Sequence, residues 1–517
     1  MISPDVITAN LFLWTFIGVM LGVVVGCIPG LTGAMVIALT LPLTFSMDPS
    51  DALALLVSIY VGSVSGGLIS ATLLRIPGTP ASMMTTLDGY PMAKAGRPKR
   101  ALGIGIIASL VGGALSWLAL ALLARPMAAW STKIGPADMF SLVVLALVLI
   151  AVISRHSLLA GLFAGALGIL ARMPGMHPAS GKTRLTFGFH ELDDGLSLLP
   201  VLIGLFAISQ LLKDVTQREQ TAENADGEEQ PEADTSSSED RLPGKSEWLA
   251  SLVNLFRSSF IGTVIGILPG VGANIGSVVA YSAAKTQSKN KQEFGNGSEE
   301  GIVASEAANN ATVGGALIPL VSLGIPGSVI DAILLGAFVI HGLQPGPLLF
   351  KNNPEIVHTI SASYLLANIV MCGFMLLSAR WLVRLTQIPK AYLVPAILTF
   401  CVLGSYALSN RMFDIWVMLA FGLLGLLFDR LSIPSAPFVI GFVLSPIAEK
   451  SMCTALMAEG GSWMIFVTSP MSAILLVMST CVVLAVLTSS LRAARREPES
   501  VSSNQRSADG NREQKDV

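Results

Sequence analysis

Long runs without charge alternate with short polar breaks along the chain, and the runs fall into two series. The first series covers roughly 8–28, 31–45, 52–74, 101–124, 137–153, 157–171 and 196–212. The second covers 249–268, 271–284, 302–318, 320–340, 357–379, 391–409, 412–447 (room for two helices) and 462–490. Each run suits a helix that crosses or enters a bilayer, whose core takes about 17–25 apolar residues. The expected fold is an all-α polytopic membrane protein with roughly 12–15 membrane segments. Between the series, residues 213–247 turn polar and acidic through EEQPEADTSSSED. Such composition buries no core and reads as a flexible linker. The predicted organisation is a first membrane repeat (1–212), an acidic cytoplasmic linker (213–247), a second membrane repeat (248–491) and a disordered cytoplasmic tail (492–517).

The two series open alike. GVMLGVVVGCIPGLTGAMVIALTLPL starts at Gly18, and IGTVIGILPGVGANIGSVVAYSAAK starts at Ile261. Pro29-Gly30 lies over Pro269-Gly270, and Gly22 and Gly26 lie over Gly262 and Gly266. A second Pro-Gly follows in each series, at Pro77-Gly78 and at Pro326-Gly327. Four-residue glycine spacing puts every glycine on one helix face, where membrane helices approach closely. Pro-Gly stops a helix, and a broken helix in lipid is tolerated only where protein or a cavity covers it. Paired broken segments in corresponding halves point to the binding site of a transporter.

Loop charges set the relative orientation of the halves, because Lys and Arg favour the cytoplasmic side. The loop 46–51 has neither, whereas its counterpart holds Lys285, Lys289 and Lys291. After the second break the first half holds Lys94, Arg97, Lys99 and Arg100, and the matching stretch 341–355 holds only Lys351. Both comparisons change sign, which predicts inverted-topology repeats with broken helices or re-entrant hairpins; a parallel duplication is the alternative. Composition agrees with a lipid solvent: the chain is 52% hydrophobic and 13% charged, against about 25% charged in soluble domains. The near-zero net charge of -2 and the lack of a basic arm speak against nucleic acid. The start, MISPDVITANLFLWTF, shows no cleavable signal. The five cysteines stand alone in apolar sequence, and the scattered histidines suggest no metal site. Gly181-Lys182-Thr183 lacks the upstream glycine of a P-loop, since position 176 is Met.

Candidate chemistry gathers at the breaks. A half-helix that begins after Pro-Gly presents unpaired N–H groups with partial positive charge, and two such ends make an anion site without a lysine. The expected substrate contacts are Gly30, Thr32, Gly78, Thr79, Gly270, Asn274, Gly327 and Ser328, with the backbone freedom supplied by Gly30, Gly33, Gly270 and Gly272 and a further hydroxyl by Ser277. The stretch 305–328 is the most polar of an apolar half, and its Asn309, Asn310 and Thr312 are costly in lipid unless paired or ligating. Their oxygens, with Glu306, suit a coupling cation, Na⁺ or H⁺; interhelical hydrogen bonding is the alternative.

GxxPG-L near the start, IPGTPAS followed by LDGYPMAKAG, EAANN, and GGALIPL with LGIPGS followed by HGLQPGP are long motifs spread over residues 15–490. Together they resemble the large membrane subunit of tripartite tricarboxylate transporters. The resemblance implies a bacterial inner-membrane permease that works with a small four-helix membrane subunit and a periplasmic solute-binding protein. It also implies uptake of citrate or other carboxylates by an ion gradient, with no catalytic residues and no cofactor. Arg75 and Asp331 depart from the family pattern, which usually has small or polar residues there. Intramembrane ionisable residues mark function by default. Arg75 and Asp331 either form a charge pair that a substrate carboxylate exchanges into, or reach opposite interfaces. The competing functions are an intramembrane enzyme, which needs a nucleophile–base pair absent at helical spacing, and a passive channel, which needs a pore-lining ring.

Overall fold

The computed structural model describes residues 8–28, 30–153, 158–177, 180–213, 240–269, 272–385, 390–486 and 488. Most of the expected linker and all of the expected tail lie outside these residues. The described chain is helical apart from a two-residue hairpin pairing Gly175–Met176 with Thr183–Arg184. Seven helices are long and apolar enough to cross a membrane, and seven shorter apolar helices accompany them among the described residues.

The first half begins with α1 (Ala9–Cys27), α2 (Gly33–Thr40), α3 (Pro49–Leu74), α4 (Met83–Lys94) and α5 (Pro98–Ser131). It continues with α6 (Pro136–Ile153), α7 (Leu158–Arg172) and α8 (Leu198–Lys213). The second half begins with α9 (Lys245–Ile267), α10 (Gly272–Gln287), α11 (Glu299–Leu323), α12 (Val329–Ile340) and α13 (Pro354–Leu385). It ends with α14 (Lys390–Ser409), α15 (Met412–Arg430), α16 (Ser435–Ala458) and α17 (Pro470–Val486). Two expected boundaries move. The runs 302–318 and 320–340 were divided at Pro319, but α11 carries Pro319 inside it and ends at Leu323. The polar segment MMTTLDGYPMAK, outside every predicted run, forms α4.

Helix directions follow from which glycines touch which backbones. A Cβ on Gly18, Gly22 or Gly26 would strike the carbonyl oxygens of Leu55, Ile59 and Ser63 in turn. Both numbers rise together, so α1 and α3 run parallel, and α2 must turn back between them. A Cβ on Gly262 or Gly266 would strike the carbonyls of Ala308 and Thr312, so α9 and α11 repeat that arrangement. Small residues along each stripe allow this backbone-to-backbone approach.

The ends of the molecule show how the halves are turned. At one end Arg100, starting α5, binds Glu247 of α9 at 3.0 Å and Glu299 of α11 at 2.5 Å. At the other end the starts of α1, α3 and α13 meet through Leu11, Ala54 and Ala362, and Thr44 lies 3.2 Å from His341, just after α12. Thus α3 runs away from the end where α12 finishes, and α11 runs toward it. The halves are inverted relative to one another. Loops 46–51 and 341–355 share one end, which we term the loop-poor end, and 94–100 and 285–299 share the basic end. The halves interlock: α5 packs along α11, and its counterpart α13 packs along α3. Equivalent crossings pair α13 with α1 and α5 with α9.

Candidate functional site

The first and the last Pro-Gly breaks are built by the same local devices. α1 stops at Cys27, Gly30 takes a φ of 91° that a side chain resists, and Thr32 caps α2 by accepting from the Met35 N–H at 3.2 Å. After α11, Gly324 takes a φ of 71°, and Ser328 caps α12 by accepting from the Asp331 N–H at 3.3 Å. In the first half the residue equivalent to Gly324 is Arg75, which holds a left-handed φ of 59°. A non-glycine residue there costs about 1–2 kcal/mol. Thr79 and Ser82 close the turn that follows: the Thr79 N–H donates to Ser82 Oγ at 3.2 Å, and that hydroxyl donates to the Thr79 carbonyl at 2.8 Å.

The breaks converge inside the molecule. Gly78 lies against the Gly26 carbonyl, and a Cβ on Gly327 would come within 2.9 Å of the Gly266 carbonyl. Across the halves, Gly33 at the start of α2 lies beside Ile330, and α10 packs on residues 80–82. Each half's first re-started helix therefore faces the other half's second break. Gly78 thus lies against the helix that ends at the first break, and Thr79 against Gly67 of α3, while Gly327 lies against Gly266 of the second half. Gly270 and the Asn274 side chain lie outside the described residues. Ser277 is buried, and its hydroxyl donates to the Ser305 carbonyl at 3.2 Å.

The polar stretch of α11 faces inward along its whole length, with Glu306, Asn309, Asn310 and Thr312 all buried. α3 meets α11 at its middle: the Ser65 hydroxyl donates to Asn310 Oδ1 at 2.6 Å, and Asn309 Nδ2 donates to the Val64 carbonyl at 3.4 Å. The Tyr364 hydroxyl of α13 donates to the Asn310 carbonyl at 3.1 Å and sits 2.8 Å from Ser116 Oγ. Thr312 is spent locally, donating to the Asn309 carbonyl at 2.6 Å. Glu306 lies toward the basic end of this crossing. Its carboxylate accepts from the Thr85 hydroxyl of α4 and, at 3.2 Å, from the Ser109 hydroxyl of α5. No Lys or Arg pairs with it among the described residues. Asn309 Oδ1, one turn on, is a buried acceptor without a donor. A carboxylate beside an orphaned carbonyl oxygen is a place for a small cation or a proton.

Arg75 and Asp331 do not form the expected charge pair. Arg75 is exposed where α3 ends, and its guanidinium lies over the Tyr90 ring, 5.7 Å from the centroid. Asp331 is fully buried near the start of α12, and neither carboxylate oxygen meets a donor in hydrogen-bond geometry. The left-handed turn that ends α3 carries the Arg75 side chain toward α4 rather than into the break of the other half.

Asp88 is a site residue that sequence reasoning passed over. Buried on α4, it accepts from the backbone N–H groups of Gly295, Gly297 and Ser298 at 2.8, 3.1 and 2.9 Å, and from the Tyr281 hydroxyl at 2.8 Å. It thereby fastens the first half to the entry of α11. Its one signal was an acid within LDGYPMAKAG, a segment too polar for its neighbours.

A family model described as the tripartite tricarboxylate transporter TctA family matches residues 12–440. An uncharacterized 52.8 kDa protein from Agrobacterium vitis, named for its place in the TAR-I ttuC' 3' region, is 34% identical over 483 residues, which cover 92% of this chain and 93% of that protein. A second uncharacterized protein from Agrobacterium vitis, from the TAR-II ttuC' 3' region, is 38% identical over 230 residues, which cover 44% of this chain and 95% of its own length. No solved structure matches.

Proposed function

The chain belongs to the tripartite tricarboxylate transporter TctA family, and from that membership we propose that it is the large permease subunit of a binding-protein-dependent secondary transporter. It imports tricarboxylates or related organic carboxylates across the bacterial inner membrane, driven by a Na⁺ or H⁺ gradient. A small four-helix membrane subunit and a periplasmic solute-binding protein complete the assembly. The basic end, with Lys94–Arg100 and Lys285–Lys291, faces the cytoplasm.

One observation carries this reading: breaks from two inverted halves converge inside the molecule. Re-started helices there aim partial positive charge at one place, which favours carboxylates, and inverted halves can open that place to either side in turn. Arg75, at the rim of the first half's second break on the cytoplasmic side, supplies a planar fork for a carboxylate as it leaves the site. Glu306 with Asn309, Asn310 and Thr312 forms the coupling-ion group. Because Glu306 is held by hydroxyls from the opposite half, ion occupancy there favours one arrangement of the halves over another.

The test is uptake by vesicles holding the chain with its co-encoded subunits, using labelled citrate and a panel of other di- and tricarboxylates. Uptake should depend on the binding protein and collapse with an uncoupler or on removal of Na⁺. Gradient-independent, non-saturating flux would instead mark a channel.

A further inference from the structure

Asp331 is a second buried carboxylate, and nothing among the described residues neutralises it. It is 0% exposed, and both of its oxygens lack a donor. Ser328 lies close by, its hydroxyl accepting from the Asp331 N–H at 3.3 Å. Tyr60 of α3 joins the same junction, its hydroxyl 3.3 Å from Ser328 Oγ.

We propose that Asp331, with the Tyr60 and Ser328 hydroxyls beside it, is a second proton-binding site that loads and unloads during the transport cycle; the inference rests on the transporter reading given above. Its position supports this. Tyr60 and Asn309 are 249 residues apart, the same separation as Pro77 and Pro326, so they hold equivalent places on α3 and α11. Asn309 belongs to the group around Glu306, where α4 meets α11. Tyr60 stands beside Asp331, where α12 meets α3. These are equivalent junctions between the halves, and each holds one buried acid. Glu306 lies toward the basic end of the crossing of α3 with α11, whereas α12 carries Asp331 toward the loop-poor end. Each side of the membrane thus has its own acid beside the breaks.

A proton suits Asp331 better than a metal ion does. A hard cation wants about six oxygens. Here the side-chain oxygens are the carboxylate and two hydroxyls, and Ser328 Oγ already accepts the Asp331 N–H. The surrounding elements bring no compensating charge. α2 and α8's first turns carry no ionisable side chain. On α16, Glu449 is engaged by Arg184 and His177, and Lys450 is exposed. On α11, Glu306 is engaged by Thr85 and Ser109, and Glu299 by Arg100. α3 presents Tyr60, while Asp51 starts that helix and Arg75 ends it. With no positive partner at the junction, a bound proton is what would neutralise the carboxylate. Release of its proton then requires water or substrate movement at the junction, which is the behaviour of a coupling group.

Infrared spectroscopy tests this without any transported substrate. The full chain, carrying ¹³C-labelled aspartate and held in lipid vesicles, is moved between acidic and alkaline buffer. The protonated-carboxyl stretch of aspartic acid should appear at acidic pH and vanish at alkaline pH. Asp331→Asn should remove that component, and Glu306→Gln should leave it. Asp331→Glu should shift the titrating component out of the labelled band while keeping it, which covers the case in which Asp331→Asn fails to accumulate. An unchanged aspartic band in Asp331→Asn would overturn the proposal. So would a band that persists at every pH, or one that Na⁺ removes at constant pH. Failed uptake in the experiment of the preceding subsection would not alter any of these bands, so the two readings fail separately.

Discussion

Arg75 shows what a single residue reports. It holds a left-handed turn that its counterpart Gly324 makes without strain. Arg75→Gly should therefore raise the melting temperature of the purified protein, by an amount worth about 1 kcal/mol, while uptake falls. A variant that gained stability and kept full uptake would remove the guanidinium from the transport path. Arg75→Lys should also lose most uptake, because an ammonium lacks the planar fork. Asn310→Ala should raise the Na⁺ or H⁺ concentration needed for half-maximal uptake and leave carboxylate binding by the periplasmic partner unchanged. His341 gives a pH signature outside the helices. Burial lowers its pKa below the usual 6.5, so the stability tied to its neutral form is complete above pH 6.5 and declines as pH falls below it. A thermal-melt series should show that decline and show it flattened in His341→Gln. At this scale the sequence displayed the acids and amides but not their partners. Glu306 and Asn310 are visible as polar residues in an apolar run, whereas Thr85, Ser109 and Ser65 become their donors only through a fold that joins positions about 200 residues apart.

The helices divide their glycines into two kinds of work. Gly22 and Gly266 let one backbone rest on another, and any side chain there meets a carbonyl oxygen. Gly22→Leu or Gly266→Leu should separate α1 from α3, or α9 from α11, at a cost of about 3 kcal/mol. Immunoblots of membranes should show little protein. Gly30 instead shapes a turn between helices, so Gly30→Leu should leave protein in the membrane and abolish uptake. Equal membrane levels for all three variants would contradict this division. Element boundaries were legible where apolar runs met Gly or polar loops, and less so elsewhere. α11 continues through Pro319 because a proline removes a single backbone bond, which a well-packed membrane helix tolerates. α4 escaped notice because its polar residues, Thr85 and Asp88 among them, are buried against neighbouring helices and form no apolar run.

At the scale of the whole molecule, the alternation of basic and non-basic loops predicted an inversion that the packing displays independently. Single cysteines at Ser46 and Asn352, in a cysteine-free background, should react with a membrane-impermeant reagent added outside. Cysteines at Ala95 and Lys289 should react only after permeabilisation. Ser46 and Lys289 reacting from the same side would contradict the inversion; all four residues are exposed. The interlocked halves also bear on how the protein is made. α5 emerges from the ribosome well over a hundred residues before α9 and α11, the helices it packs along. During that interval, the face carrying Gly112 and Gly113 has no partner, and Ser109 and Ser116 are exposed to lipid or held by the insertion machinery. Biogenesis therefore includes a waiting step, in which a nascent half with an unfinished polar seam persists until the other half is synthesised.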